Sequence, residues 1–289
     1  GRRRRRLLAA AVAAAFVLGG VRYVVDLRAE RHAALEARND ARQEAERADA
    51  VARFLKELFQ ASDPRQARGR IPDAKELLQR GSERLGRELR DQPVLRAQLL
   101  DTLGTIQTNL GLFDAARPLL EEALALRERH RGGGHPEVAE TLVHLGALAQ
   151  LSGKGDALPL LRRALAIREA LGREDAGLAD VLNDLGMTLA TQGRFDEAET
   201  NLRRSLGLHE RLWGERDPRV AKILHNLGGI ALQSGRTEEA ARLLEHAVAI
   251  REAAVPDDDP GLAGSREALA LVRMQQGKPA EAVRTLEHL

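Results

Sequence analysis

Side chains capable of chemistry are scattered along this 289-residue chain rather than gathered into one constellation. There is no cysteine, which excludes disulfides, thiolate metal sites and a cysteine nucleophile. Of the eight histidines, His130 and His135 lie near each other beside a glycine-rich loop, a poor arrangement for a metal pair. Asp257, Asp258 and Asp259 stand in a row and lack the alternating spacing of a calcium loop. No nucleophile stands beside a base in a recognisable pattern, so no catalytic residue, metal ligand or cofactor site is assigned. Recognition chemistry remains. Asn183 and Asn226 carry amides that donate and accept together, which suits pairing with the backbone of an extended peptide.

The elements that must position these residues are helices. Aromatic residues make up 2% of the chain, with one Trp and one Tyr, and the apolar content is carried by Leu, Ala and Val. Leu and Ala favour helices, whereas strands favour aromatic and β-branched residues. Charged residues reach 30%, nearly balanced in sign, as long helices with solvated outer faces require. The net charge is +2, yet Arg2 to Arg6 alone supply five positives, so the remainder is slightly acidic. That distribution does not predict a nucleic-acid partner.

Residues 1–25 read as a basic flank and a membrane helix. Leu7 to Val25 contains 19 residues with one charge, Arg22. As a helix it spans roughly 28 Å at about 1.5 Å per residue, close to the hydrocarbon thickness of a bilayer. Arg22 lies near one end, where its stem reaches the headgroups, and Tyr23 suits the interface. A signal peptide and a buried soluble helix are the competing readings. Against the first, no small-x-small site follows the apolar run; against the second, no polar face appears for four turns. The arginine block predicts a single-pass protein of the inner (plasma) membrane with a cytoplasmic N-terminus and an extracytoplasmic C-terminal region, although Arg28, Arg31 and Arg38 flank the other side. The sequence begins with Gly1 and ends at Leu289 inside a helical pattern, so both ends are read as cuts in a longer protein.

Residues 26–60 form a charged juxtamembrane helix with an alanine stripe at Ala34, Ala37, Ala41, Ala45 and Ala48, continuing into Val51, Phe54, Leu55, Leu58 and Phe59. It reads as a solvated spacer, or alternatively as a weak coiled coil that makes a homodimer. Ser62-Asp63-Pro64 breaks it, and residues 61–93 then read as a capping segment with an amphipathic helix from Ala74 to Leu89 that ends at Gln92-Pro93.

Residues 94–289 are an internal repeat, four units plus a fifth partial or terminal one. A small residue follows leucine at Gly104, Gly146, Gly186 and Gly228, and the same register holds Ala270, at spacings of 42, 40, 42 and 42. Turn glycines recur at Gly111, Gly153, Gly193, Gly235 and Gly277, and alanines at Ala116, Ala157, Ala198, Ala240 and Ala282. The first glycine lets two helices approach, the second ends helix A, and the alanine contacts helix A of its own unit. Leucine pairs such as Leu119-Leu120, Leu160-Leu161 and Leu243-Leu244 fill the layer between units. One unit cannot bury its apolar face alone, so stability comes from stacking. The second unit lacks one residue in its turn, at Lys154-Gly155, which predicts a locally irregular joint.

This pattern resembles the tetratricopeptide repeat (TPR). The long period, the Gly132 to Pro136 and Gly214 to Pro218 joints and the Leu-x-Asn-Leu helix starts resemble the kinesin-light-chain type; the usual aromatics survive only at Phe113 and Phe195. The resemblance implies an all-α fold, a right-handed TPR superhelix or α-solenoid, whose helix-A faces line a concave peptide-binding groove. Carried onto this sequence, the groove falls at Gln98, Asp101 and Thr105 in the first unit, His144 in the second and Asp180, Asn183 and Asp184 in the third. In the fourth it falls at Lys222, His225 and Asn226. Asn183, His225 and Asn226 match the asparagine-rich ladder of such repeats, or alternatively bond to a neighbouring unit. The mixed to acidic lining favours a basic or neutral segment as partner.

The order of basic block, apolar helix, charged helix, VARFLKELFQASDP and long repeats also resembles the C-terminal half of bacterial membrane-anchored serine/threonine kinases. The chain has no Gly-rich phosphate loop, His-Arg-Asp catalytic loop or Asp-Phe-Gly. The expected function is therefore a membrane-anchored TPR scaffold for protein or peptide partners and not an enzyme. The alternatives are the sensor or docking half of a kinase whose catalytic domain lies upstream, and a self-associating structural module.

Overall fold

In a computed structural model of the chain, the described residues are 74–287 together with Arg38, Ala52, Arg53 and Lys56. The expected membrane helix at 7–25 and most of the juxtamembrane helix at 26–60, with its coiled-coil alternative, lie outside them. No helix among the described residues is long and apolar enough to cross a membrane. The chain divides into two compact units, Gly1–Leu77 and Leu78–Leu289.

Eleven α-helices and no strand occur among the described residues. Helix α1 is Ala74–Glu88, the expected amphipathic segment, with Leu77, Leu78 and Leu85 buried. The unit that begins at Leu78 then runs as hairpins of helices A and B. The first is α2 (Pro93–Asn109) with α3 (Phe113–Arg131), and the second α4 (Pro136–Ser152) with α5 (Ala157–Ala170). The third is α6 (Ala176–Thr191) with α7 (Phe195–Trp213), the fourth α8 (Pro218–Gln233) with α9 (Thr237–Ala254), and the fifth α10 (Pro260–Gln275) with α11 (Pro279–Leu286). From α2 to α11 each helix packs against the next, and successive A helices also touch each other directly from α2 through α10.

The landmarks read from the sequence perform the tasks expected of them. A Cβ built on Gly104, Gly186 or Gly228 would meet Leu120, Leu202 or Leu244 at 2.6, 2.7 and 2.7 Å, so only glycine lets the hairpins close this tightly. These leucines, with Leu161, are fully or almost fully buried, and each also joins the next A helix: Leu120 clusters with Leu145 and Leu148, and Leu244 with Leu269 and Val272. The second leucine of each pair therefore serves its own repeat as well as the layer between repeats. Leu160 and Leu243, from the first positions, pack at the edges of two or more of these clusters.

All five turn glycines have φ between 64° and 75°, the left-handed region that side chains with a Cβ avoid. Four turns close in the same way, by a bond from the residue after the glycine to a carbonyl five residues back: Leu112 to Gln107, Arg194 to Leu189, Arg236 to Ala231 and Lys278 to Arg273. The second turn differs, as its missing residue predicts. The Lys154 N–H there turns to Ser152 Oγ at 3.2 Å, and Gly155 takes a second positive φ of 100°. Helix α5 starts late, at Ala157, and has 14 residues, against 19, 19 and 18 in α3, α7 and α9.

The joints between hairpins are capped from the sequence. Asp175, Asp217 and Asp259 accept the N–H of Leu178, Arg219 and Leu262 at 2.9 Å in each case. His135 Nδ1 plays the same part for Glu137 at 3.3 Å. Proline follows at the first helical position of α4, α8 and α10, where its missing N–H costs nothing. His135 and Asp259, each one member of a group weighed above for metal binding, are thus helix caps.

Candidate functional site

Because the A helices touch in sequence, equivalent positions on them form rows that run across the hairpins. The candidate residues fall in three of these rows, and the rows have different fates. The first pairs the residue three before the small position with the residue two before it on the next A helix. Asn226 Nδ2 donates to Asn183 Oδ1 at 2.9 Å, and Asn183 Nδ2 donates to Asp184 Oδ1 at 3.0 Å. Asn183 is buried. The two amides are therefore engaged with each other across α6 and α8, which is the neighbouring-unit alternative of the sequence reading. Asp101 and His144 occupy the same pair of positions two intervals earlier, with His144 Nδ1 at 3.0 Å from Asp101 Oδ2. His225, three before its own small position, leaves the row and meets Ser265, five before the small position of α10, with Nδ1 at 3.2 Å from the hydroxyl.

The burial of this row shows in its titration. Burial opposes charge on Asp101, but its contact with His144 and the charges of His144 and Arg127 hold it below the usual carboxylate range. Asp184 is pushed up, first by burial, with Lys222 nearby acting against the shift. His225 is pushed down by burial and then by Arg251.

The second row, six residues before the small position, faces solvent. Asp180 is 66% exposed and Glu140 49%. Lys222 is exposed and Gln98 half-buried. In the third row Thr105 turns back on its own helix and donates to the Asp101 carbonyl at 2.9 Å. Among the predicted residues, then, Asn183, Asn226, Asp101 and His144 meet in seams between repeats, while Asp180 and Lys222 remain open to a partner.

One set of functional contacts has no counterpart in the sequence reading. A basic residue near the end of the first, second and fourth B helices reaches over the start of the next A helix. Arg127, 5% exposed, donates to Thr141 Oγ1 at 2.6 Å and to the Glu137 carbonyl at 2.9 Å. Arg251 reaches Ser265 Oγ at 2.5 Å and the Gly261 carbonyl. Arg168 faces Asp175 at 3.6 Å. In the third repeat this position is His209, tilted against Trp213 with ring centroids 4.9 Å apart, and Arg219 lies over the same indole at 4.5 Å. The signal was periodic: Arg127, Arg168, His209 and Arg251 hold one register of the repeat.

Ser205, His209 and Asp180 imitate a nucleophile, base and acid by residue type. Ser205 is fully buried and donates to the Ala179 carbonyl at 2.7 Å, with His209 Nδ1 3.3 Å from its oxygen and Asp180 at 3.8 Å from Nε2. A hydroxyl committed to a backbone acceptor and shut from solvent is a joint contact, not a nucleophile.

Residues 94–170, 154–211, 177–253 and 219–289 each match the family model of the tetratricopeptide repeat. The chain belongs to the tetratricopeptide-repeat family. Among solved structures, BtubC (BKLC) from P. vanneervenii is 25% identical over 73% of this chain and 85% of its own, with a TM-score of 0.64. A putative kinesin light chain from P. anserina with nearly identical TPR-like repeats is 24% identical, covering 68% of this chain and 94% of its own at a TM-score of 0.59. PilF of Pseudomonas aeruginosa shares the fold at a TM-score of 0.52 and 20% identity, over 69% of this chain and 76% of that one. A comparison with curated protein sequences returned no match. The likeness to kinesin-light-chain-type TPR proteins agrees with the long period, and TPR arrays are scaffolds for protein–protein interaction.

Proposed function

We propose that this TPR array captures an extended peptide segment along its A helices through the exposed outer row rather than through the asparagines. The observation that carries the reading is the division of labour between rows. The asparagine seam is already hydrogen-bonded across repeats, whereas Glu140, Asp180 and Lys222 present charges to solvent from successive A helices. Two carboxylates of that row, Glu140 and Asp180, against Lys222 favour a basic or neutral segment. The apolar run from Leu7 to Val21 behind the arginine block supports anchoring of the array to a membrane, with the N-terminus cytoplasmic. The same order of segments supports a second reading as the docking region of a kinase encoded upstream.

The test is a capture experiment with the whole chain in detergent micelles as bait. A partner held by the wild type is expected to be lost from an Asp180→Lys, Lys222→Glu variant and kept by an Asn183→Ala, Asn226→Ala variant that remains folded. Loss from the asparagine variant alone would return recognition to the inner row and overturn the proposal.

A further inference from the structure

The seam between the first two repeats is built from charges that no other seam shares. Asp101 on α2 and Arg127 on α3 are 4% and 5% exposed, and Arg127 Nη1 lies 3.5 Å from Asp101 Oδ1. Arg127 also faces Glu140 Oε2 at 3.4 Å and Glu137 Oε2 at 3.9 Å, and Arg131 faces Glu137 Oε1 at 3.7 Å. His144 on α4 closes the group against Asp101 at 3.0 Å. Its ring is turned away from good hydrogen-bond alignment, and neither His144 Nδ1 nor Asp101 Oδ1 has an aligned partner among the described residues. Attraction between opposite charges therefore holds this contact, and a neutral ring gives little in return.

The charges agree. Three carboxylates, Asp101, Glu137 and Glu140, face two arginines, Arg127 and Arg131, and only a proton on His144 brings the group to neutrality. Asp184, on α6, is the further titratable group within reach of the ring. We infer that the first repeat joint is a proton-controlled lock, in which protonated His144 ties α4 to Asp101 of α2 and loss of the proton loosens the two repeats. This inference does not depend on where a partner docks.

The direction of titration is consistent with the geometry. Burial pulls His144 down, but the contact with Asp101 and the charges of Asp101 and Glu140 outweigh it, so the ring is raised above its ordinary 6.5 despite Arg127. A group raised in the folded state contributes stability that is fully present below 6.5 and lost as pH rises through its folded value. His225 is shifted the opposite way, and its contribution is lost as pH falls. The other seams lack the device: Asn183–Asn226 carries no proton to lose, and Val143 and Ala268 stand where a partner charge would be needed.

The test is native-state amide exchange of the whole chain in micelles between pH 6 and 8.5, corrected for intrinsic rates. Protection of α2 and α4 is expected to fall roughly tenfold across that range, with α8 and α10 not following. In His144→Gln, whatever its absolute stability, α2 and α4 protection is expected to be independent of pH. An Asp101→Asn variant is expected to bring the His144 titration midpoint, read from its ring proton resonance, to or below that of a free histidine. Unchanged wild-type protection over the range, or an equal loss in His144→Gln, would overturn the lock.

Discussion

Replacing the close-approach glycines one at a time by alanine gives a graded test of how the hairpins are closed. In Gly186→Ala the new Cβ lies 2.7 Å from Leu202 Cγ and 3.1 Å from the Ala198 carbonyl, and Leu202 is fully buried. A backbone oxygen cannot step aside, so the hairpin must open. Overpacking of this kind costs about 1–3 kcal/mol, while replacing a mid-helix glycine by alanine returns about 1 kcal/mol; with a backbone oxygen in the way the cost falls at the upper end, leaving a net loss of up to about 2 kcal/mol. In Gly146→Ala the nearest atoms are Leu161 Cγ and Cδ2, both at 3.2 Å, with no backbone atom beside them. A shift of a few tenths of an ångström in one side chain suffices there, and the net change is about zero. Gly228→Ala falls between, at 2.7 Å from Leu244 Cγ but with only side-chain neighbours. The fifth repeat runs the substitution naturally: it has Ala270, and the matching Leu286 is 40% exposed rather than pressed onto it. Local unfolding free energies from amide exchange suit the measurement, because a solenoid need not unfold in one step. If Gly146→Ala costs as much as Gly186→Ala, or if all the variants are stabilised alike, helix propensity rather than close approach decides the position and the reasoning fails.

Two further outcomes follow from the seams. Arg127→Ala leaves Asp101 buried beside an empty space and is expected to cost about 3–5 kcal/mol in thermal or denaturant unfolding, with much of the loss recovered when Asp101 is replaced by Leu in the same chain. Asn183→Ala and Asn226→Ala are each expected to destabilise by about 1 kcal/mol, and a double-mutant cycle on the pair should give a non-zero coupling energy; strict additivity would mean that the amide bond across α6 and α8 contributes nothing.

The fold was legible because its landmarks have few other uses. Gly193 or Gly235 recurring at a fixed interval marks a left-handed turn whatever surrounds it, and Gly104 beside a leucine marks a close approach. The irregular second turn was legible for the same reason, since a turn one residue short cannot close like the others; the late start of α5 was not read from it. The site was harder. Asn183 and Asn226 carry identical signals whether they meet a peptide or each other, and only the distance between α6 and α8 separates the two. Arg127 sits in a run of charged residues that reads as a solvated face, so its burial was hidden; the recurrence of a basic residue in that register was the signal to follow. Asp101 and His144 were recognised as groove candidates by position, but a buried ion pair is a statement about three helices at once, and no single repeat contains it.

The paired rows also bear on how such an array can change over generations. Each seam carries its own pair, Asp101 with His144 and Asn183 with Asn226, while Val143 and Asp184 occupy the equivalent positions of the seam between them. Units that look interchangeable by their glycines and leucines are therefore keyed at their edges. Duplicating the first unit would set Asp101 against Thr102 of the copy, and exchanging the second and fourth would face Asp101 with Asn226. The order of the repeats is inherited as a sentence rather than as a list, and a shuffled array would keep its helices while losing its grammar.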